Sequence, residues 1–171
     1  FDEVIPPNPP DKAVELARPG IERVAAVRNA IGSGVHLLVD CHSRFDPQSA
    51  PQVAEQLEKF DVAWFEEPVQ PTEDSSGLAR ISKQVPMPVA GGEHGYGKDF
   101  FMDLITSEAV DVIMPDVKHC GGAVSAHKAG HAAMEQGGNV SLHSPSGPLS
   151  QLTSAHVTAA TPGAMPLESA V

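Results

Sequence analysis

The sequence predicts an α/β protein, a TIM-type (β/α) barrel of which this chain would contain about six strands. Short apolar runs alternate with helical segments along the whole chain, which is the pattern of parallel βα units. Six of these runs end in an ionisable residue, at intervals of 23 to 27 residues: Asp40, Glu66, Glu93, Asp116, His143 and Glu168. Such an interval fits one strand, one helix and two loops. The six side chains are therefore expected on one face, at the carboxyl ends of the strands.

An open doubly wound sheet is the alternative to a barrel. Ligands of such sheets gather at one topological switch point, which few strands serve. Functional side chains at six consecutive strand ends favour the rim of a barrel. The strands are also nearly continuous apolar runs, so we expect both faces of the sheet to be covered.

Each element has its own sequence signal. The first helix, from Asp11 or Glu15 to Ile31, carries apolar residues at helical spacing and is followed by Gly32. Asp46 and Pro47 form an N-cap with a first-turn proline, which predicts that the second helix begins there. Runs rich in branched residues predict the strands, at 36–41, 62–67, 89–92, 110–115, 139–143 and 164–167. The remaining helices are expected at 75–84, 98–106, 122–136 and 149–160.

Composition limits the class of protein and its partners. The chain has 171 residues and is 41% apolar, which suits one domain with a real core. A complete α/β barrel needs about 250 residues, so we expect residues 1–171 to be an incomplete barrel domain. The net charge of −11 disfavours a nucleic acid partner, and no apolar run approaches the length of a membrane span. Two cysteines form no disulfide framework, which predicts a cytoplasmic protein.

Three of the strand ends carry carboxylates: Asp40, Glu66 and Glu93. Converging carboxylates raise one another's pKa unless a cation lies among them. Oxygen donors without a matching cysteine suit Mg²⁺, or Mn²⁺ in its place. Solvated loop acids or helix caps are the alternative, but three acids in equivalent positions favour a metal site. Because a strand alternates its faces, only one of Glu66 and Glu67 can point to the barrel axis.

Asp116 and His143 end two successive strands, which predicts a paired base. An aspartate that accepts the ring N–H fixes the histidine tautomer and raises the basicity of the other ring nitrogen. His42 follows Asp40 by two residues, so strand alternation would place both side chains on one face. His42 is therefore a candidate acid near the metal, with a direct metal ligand or a loop histidine as alternatives.

The other histidines carry weaker signals. His94 and His119 flank functional positions and are expected to line the pocket. His127 and His131 are four residues apart on a helix, a spacing that can chelate zinc. That helix is expected on the outside of the barrel, which favours ordinary surface residues.

Six motifs in order resemble the catalytic barrel of the enolase superfamily, in its mandelate racemase subgroup: VDCHSRFD, WFEEPV, GGEHGYG, VIMPDVKHCGG, SLHSPSGP and ATPGAMPLES. The resemblance implies about strands 3 to 8 of a modified (β/α)7β barrel, with the first barrel strands and an N-terminal capping domain absent from this chain. It implies Mg²⁺ bound by Asp40, Glu66 and Glu93. It also implies a base formed by Asp116 and His143, with Glu168 as a protonated acid that hydrogen-bonds the enolate oxygen.

Within the subgroup, a histidine placed like His42 is similar to that of galactonate-type sugar-acid dehydratases. The resemblance then implies a hydro-lyase of carbohydrate catabolism that takes the C2 proton and C3 hydroxyl from an aldonic or aldaric acid. A racemase or epimerase of a 2-hydroxy acid and a non-catalytic homologue are the alternatives. Lys118 could contact a substrate carboxylate or be solvated; with His94 and His119 it is a candidate substrate-binding residue. Because homo-oligomers are common in this family, one is expected here.

Overall fold

The computed structural model describes residues 1–7, 9–72 and 75–169. It has the α/β class and the parallel pairing that the sequence predicts. The strands are hydrogen-bonded in chain order: β1 (Leu37–Asp40), β2 (Val62–Glu66), β3 (Val89–Gly91), β4 (Val112–Ile113) and β5 (Asn139–Val140). The helices alternate with them: α1 (Ala13–Ile31), α2 (Ala50–Glu58), α3 (Ser75–Ser82), α4 (Gly97–Thr106), α5 (Ala123–Glu135) and α6 (Pro148–Ala159). A short 3-10 turn, Pro10–Lys12, precedes α1.

The chain forms two compact units, Phe1–Val89 and Ala90–Val171. In the first unit β1 and β2 are parallel, and after a shift of register between Leu37 and Leu38 the pairing brings Asp40 opposite Glu66. The helices α1 and α2 pack together. Fully buried side chains fill the core of this unit, among them Val53, Leu57, Phe65, Leu78 and Ile81. The pairing places the last residues of β1 and β2 side by side.

In the second unit β4 pairs with the end of β3 and with β5, again in parallel. The helix α5 packs on both α4 and α6, and its buried face consists of small residues: Ala126, Ala129, Gly130 and Ala133. A Cβ atom at Gly130 would lie 3.4 Å from the Val140 side chain, tighter than most such contacts. The small residues therefore let α5 approach β5 closely.

The last predicted strand, 164–167, is not part of the sheet ladder. Met165 donates its N–H to the Val140 carbonyl at 2.8 Å, and Glu168 donates to Leu142 at 3.3 Å. The two donors are three residues apart, whereas the two acceptors are two residues apart, so the one-to-one register of a ladder is lost between them. The segment runs as an extended chain beside β5, and the predicted strand is corrected to that.

The predicted start of α2 is also wrong. The helix begins at Ala50, four residues after Asp46. Asp46 Oδ1 instead accepts the backbone N–H groups of Gln48 and Ser49, each at 2.9 Å. The aspartate therefore closes the turn that leads into the helix, and Pro51 occupies the first turn of α2.

The described helices include none with the length and apolar content that crossing a bilayer requires.

Candidate active site

Two of the predicted acids lie in the first unit, at the ends of β1 and β2. Asp40 and Glu66 are register partners. Trp64 Nε1 donates a hydrogen bond to Glu66 Oε2 at 3.0 Å, so these two side chains share one face of β2. Glu67 lies just beyond β2, in a left-handed conformation with φ of 36°, and is buried. The loop after β1 reaches it, because Ser43 donates its N–H to the Glu67 carbonyl at 2.7 Å.

His42 reaches Asp40 by a route that strand alternation did not predict. The strand β1 ends at Asp40, so the two-residue alternation does not extend to His42. Residue 42 is left-handed, with φ of 48°, and its N–H donates to Asp40 Oδ1 at 2.9 Å. Its ring turns back until Nε2 lies 2.5 Å from Asp40 Oδ2. The ring is mostly exposed, so it contacts both the carboxylate and solvent.

The paired base lies within the second unit. His143 Nδ1 is 2.8 Å from Asp116 Oδ2, and the Asp116 side chain is completely buried. Burial alone would raise the pKa of Asp116. Hydrogen bonds from the Lys118 N–H and from His143, together with the Lys118 ammonium group, outweigh that effect and lower the pKa below its usual range.

The ionised Asp116 determines which nitrogen of His143 is protonated. A carboxylate can only accept a hydrogen bond, so Nδ1 carries the proton at the Asp116 contact, and Nε2 is the nitrogen that faces the rest of the site. Nε2 lies 3.1 Å from Glu93 Oε2 and 3.9 Å from Glu168 Oε2. Glu168 is oriented by the Ser144 N–H, which donates to its Oε2 at 2.9 Å. The arrangement places two carboxylates beside the nitrogen that can exchange a proton.

Lys118 has a partner that the sequence did not indicate. Its Nζ lies 3.1 Å from Asp116 Oδ2 and also donates a hydrogen bond to Ser146 Oγ. It thereby ties the loop after β4 to the loop after β5. Ser146 was missed as a site residue, and its place in the loop three residues after His143 was the available signal. Both residues line a groove of about 510 Å³ at the first turn of α6.

His94 and His119 lie beside each other, with ring centroids 5.3 Å apart. His94 Nδ1 is also 3.2 Å from Glu93 Oε1. The two rings and Glu93 thus form one cluster at the ends of β3 and β4. Of the residues singled out in the sequence, the second unit brings together this larger group: Glu93, His94, Asp116, Lys118, His119, His143 and Glu168. The first unit brings together Asp40, His42 and Glu66.

Parallel βα units with acids and a histidine at the carboxyl ends of the strands define an α/β protein of the barrel class. The family described as enolase C-terminal domain-like matches residues 12–171, and the chain belongs to that family.

Named relatives extend the comparison. The chain is 35% identical over 148 residues to D-xylonate dehydratase of Haloferax volcanii, covering 86% of this chain and 36% of that protein. It is 32% identical over 140 residues to arabinonate dehydratase of Saccharolobus solfataricus, covering 82% of this chain and 37% of that protein. A solved structure, a member of the enolase superfamily from Salmonella Typhimurium, superposes with a TM-score of 0.88 at 26% identity, over 98% of this chain and 42% of the other. The chain therefore spans a little over a third of the length of these curated relatives.

Proposed function

We propose that this chain carries the acidic metal ligands and the base of a sugar-acid dehydratase. The reaction is removal of the C2 proton and C3 hydroxyl from an aldonic or aldaric acid, which gives a 2-keto-3-deoxy acid. The observation that carries the proposal is the hydrogen bond of His143 Nδ1 to the buried Asp116, which orients the ring so that Nε2 faces Glu93 and Glu168. The two relatives named as sugar-acid dehydratases support this reaction among those open to the family.

In this proposal Asp40, Glu66 and Glu93 hold a divalent cation, Mg²⁺ or its substitute Mn²⁺. The donor chemistry fits. Asp40 and Glu66 are register partners at adjacent strand ends, and all three side chains offer carboxylate oxygens, the donors that Mg²⁺ prefers. When bound, the cation would stabilise negative charge that develops on the substrate carboxylate.

His143 is the proposed base. Its Nε2 takes the C2 proton, while Nδ1 stays hydrogen-bonded to Asp116, which stabilises the imidazolium that forms. A positioned base of this kind contributes about 10²–10⁴-fold to the rate. Glu168, in its protonated form, donates a hydrogen bond to the substrate oxygen that gains charge.

His42 is the proposed acid, which gives a proton to the departing C3 hydroxyl so that water leaves. Its contacts with Asp40 support this role, because they hold the ring beside one of the proposed cation ligands. The mostly exposed ring can be reprotonated from solvent after each turnover.

Lys118, His94 and His119 are the proposed substrate-binding residues. For Lys118 the contact with Asp116 adds a second role, holding that carboxylate ionised and aligned with His143. Substitution of Lys118 by Met should then lower kcat as well as raise KM, whereas loss of a pure substrate contact mainly raises KM. The intact enzyme is further proposed to be a homo-oligomer, which light scattering would test.

The roles of the two histidines can be separated with the full-length protein in deuterated water. His143→Asn should abolish exchange of the C2 proton, and with it dehydration. His42→Asn should abolish dehydration while exchange continues, because the base is intact. Exchange that survives in His143→Asn would remove His143 from the base role.

To identify the substrate, the full-length protein would be assayed with a panel of aldonic and aldaric acids. Formation of a 2-keto acid would be measured for each. A dehydratase forms a product lighter than its substrate by one water. A racemase or epimerase forms a product of unchanged mass, and that result would replace the proposed reaction by the alternative. No turnover of any acid, combined with no binding of Mg²⁺ by calorimetry, would indicate a non-catalytic homologue.

A further inference from the structure

The helix α5 carries a pair of histidines that the proposed reaction does not use. His127 and His131 are one helical turn apart, and both are half-buried. Their ring centroids are 4.4 Å apart and the ring planes meet at 75°. Two imidazoles bound to one zinc ion, at about 2.0–2.1 Å from each nitrogen and with a tetrahedral angle, have centroids about 5 Å apart. The rings are thus in edge-to-face contact, with centroids within about 1 Å of the separation that a shared ion requires.

Thr161 determines the tautomer of His127. The threonine hydroxyl has one hydrogen, which it donates to the Val157 carbonyl at 2.8 Å. At its 3.2 Å contact with His127 Nδ1 the same oxygen can therefore only accept. Nδ1 carries the proton, and the lone pair of His127 is on Nε2. A metal-binding histidine is commonly oriented in this way, by a hydrogen bond from the ring nitrogen that does not bind the ion.

The second ring and the surroundings agree with a metal site. Within residues 1–7, 9–72 and 75–169, the His131 ring makes its only side-chain interaction with His127, so its nitrogens remain available. His127 also lines a groove of about 370 Å³ between α5 and α6, together with Lys128 and His156, so its ring borders solvent. The chain as a whole carries a net charge of −11, which attracts cations.

We propose that His127 and His131 bind one divalent cation of the borderline class, of which Zn²⁺ is the example, with water completing the coordination. Two imidazoles select such ions over Mg²⁺, which prefers oxygen donors. The proposal is independent of the reaction assigned to His143.

The test is calorimetric titration of the full-length protein with Zn²⁺, in a large excess of Mg²⁺. The wild-type protein should bind one more Zn²⁺ than His131→Gln or His127→Gln. His36→Gln, a change at an exposed histidine of the other unit, should bind as many as the wild type. Thr161→Val keeps the shape of the side chain but removes the acceptor. It should retain the stoichiometry and bind the additional Zn²⁺ about 10–100-fold more weakly.

Equal Zn²⁺ stoichiometry in the wild type and in His131→Gln would overturn the proposal, and so would unchanged affinity in Thr161→Val. Should a histidine variant fold poorly, NMR of the wild-type protein decides instead. Zn²⁺ should then shift the ring resonances of both His127 and His131, and rings that do not respond would contradict the site.

Discussion

At the scale of single residues, Asp116 shows how one buried carboxylate organises its neighbours. It accepts hydrogen bonds from the Lys118 N–H and from His143, and the Lys118 ammonium lies 3.1 Å away. Removing a charged partner leaves a buried charge uncompensated, which costs stability. Changes at Asp116 or at its partners should therefore affect both the chemistry of the site and the stability of the second unit.

Lys118→Met should lower the free energy of unfolding at neutral pH by about 1–3 kcal/mol. The pKa of Asp116 is lowered in the folded state, so its stabilising effect is present at neutral pH and disappears as the pH falls through the folded-state pKa. The difference between the variant and the wild type should shrink on acidification, as urea unfolding would measure. Lys118→Arg retains the charge and serves as the control. A difference that stays constant with pH would contradict the ionised pair.

The two cysteines should be unreactive in the folded protein. Cys41 and Cys120 are buried, and burial raises the pKa of each thiol, so little thiolate is present at neutral pH. Iodoacetamide should modify neither until the protein is unfolded, as intact mass measurement would show. Rapid modification of the folded protein would mean that one of these thiols is accessible.

The site residues differ in how far the sequence could predict them. Asp116 and His143 are predictable because equivalent ends of adjacent parallel strands lie side by side. The partners of Lys118 are not, because the direction of a long side chain depends on the geometry of its loop. His42 is an intermediate case. Its closeness to Asp40 was expected, but a left-handed turn rather than strand alternation produces it.

At the scale of elements, the turn before α2 offers a direct test. Asp46→Ala removes the acceptor of the Gln48 and Ser49 N–H groups and should cost about 1 kcal/mol, the usual net contribution of a hydrogen bond. Asp46→Asn keeps an acceptor oxygen and should cost much less. Chemical denaturation of the three proteins measures both values. Equal losses in the two variants would assign the effect to the charge of Asp46 instead.

The order of the helices and strands along the chain was predictable from the sequence, but their first and last residues were not. Alternation with the apolar strands, together with local spacing and turn signals, predicted each of the six α-helices that the described residues form. The predicted bounds of the strands were too long, since β4 and β5 have only two residues each in the ladder. Where a ladder stops depends on which backbone groups find partners, as between Met165 and Glu168, and a pattern of apolar residues does not contain that information.

At the scale of the whole molecule, the excess of acidic residues should make stability depend on divalent cations. Mg²⁺ at 100 times its dissociation constant should raise the free energy of unfolding by about 2.7 kcal/mol, and a chelator should reverse the gain. Mg²⁺ should raise the free energy of unfolding of Glu66→Gln much less than that of the wild type. Thermal unfolding with and without the ion measures this. An equal response in the two proteins would remove Glu66 from the proposed ligands.

The hydrogen bond from Trp64 to Glu66 has a practical consequence, because Trp64 is the only tryptophan of the chain. Its indole N–H contacts one of the oxygens that we assign to the cation, and the ring is almost completely shielded from water. Any change in the charge on that carboxylate must alter the electric field at the indole, and with it the emission wavelength and intensity. The protein thus contains its own optical reporter of whether that end of β2 is occupied, and no dye or label is needed to follow it.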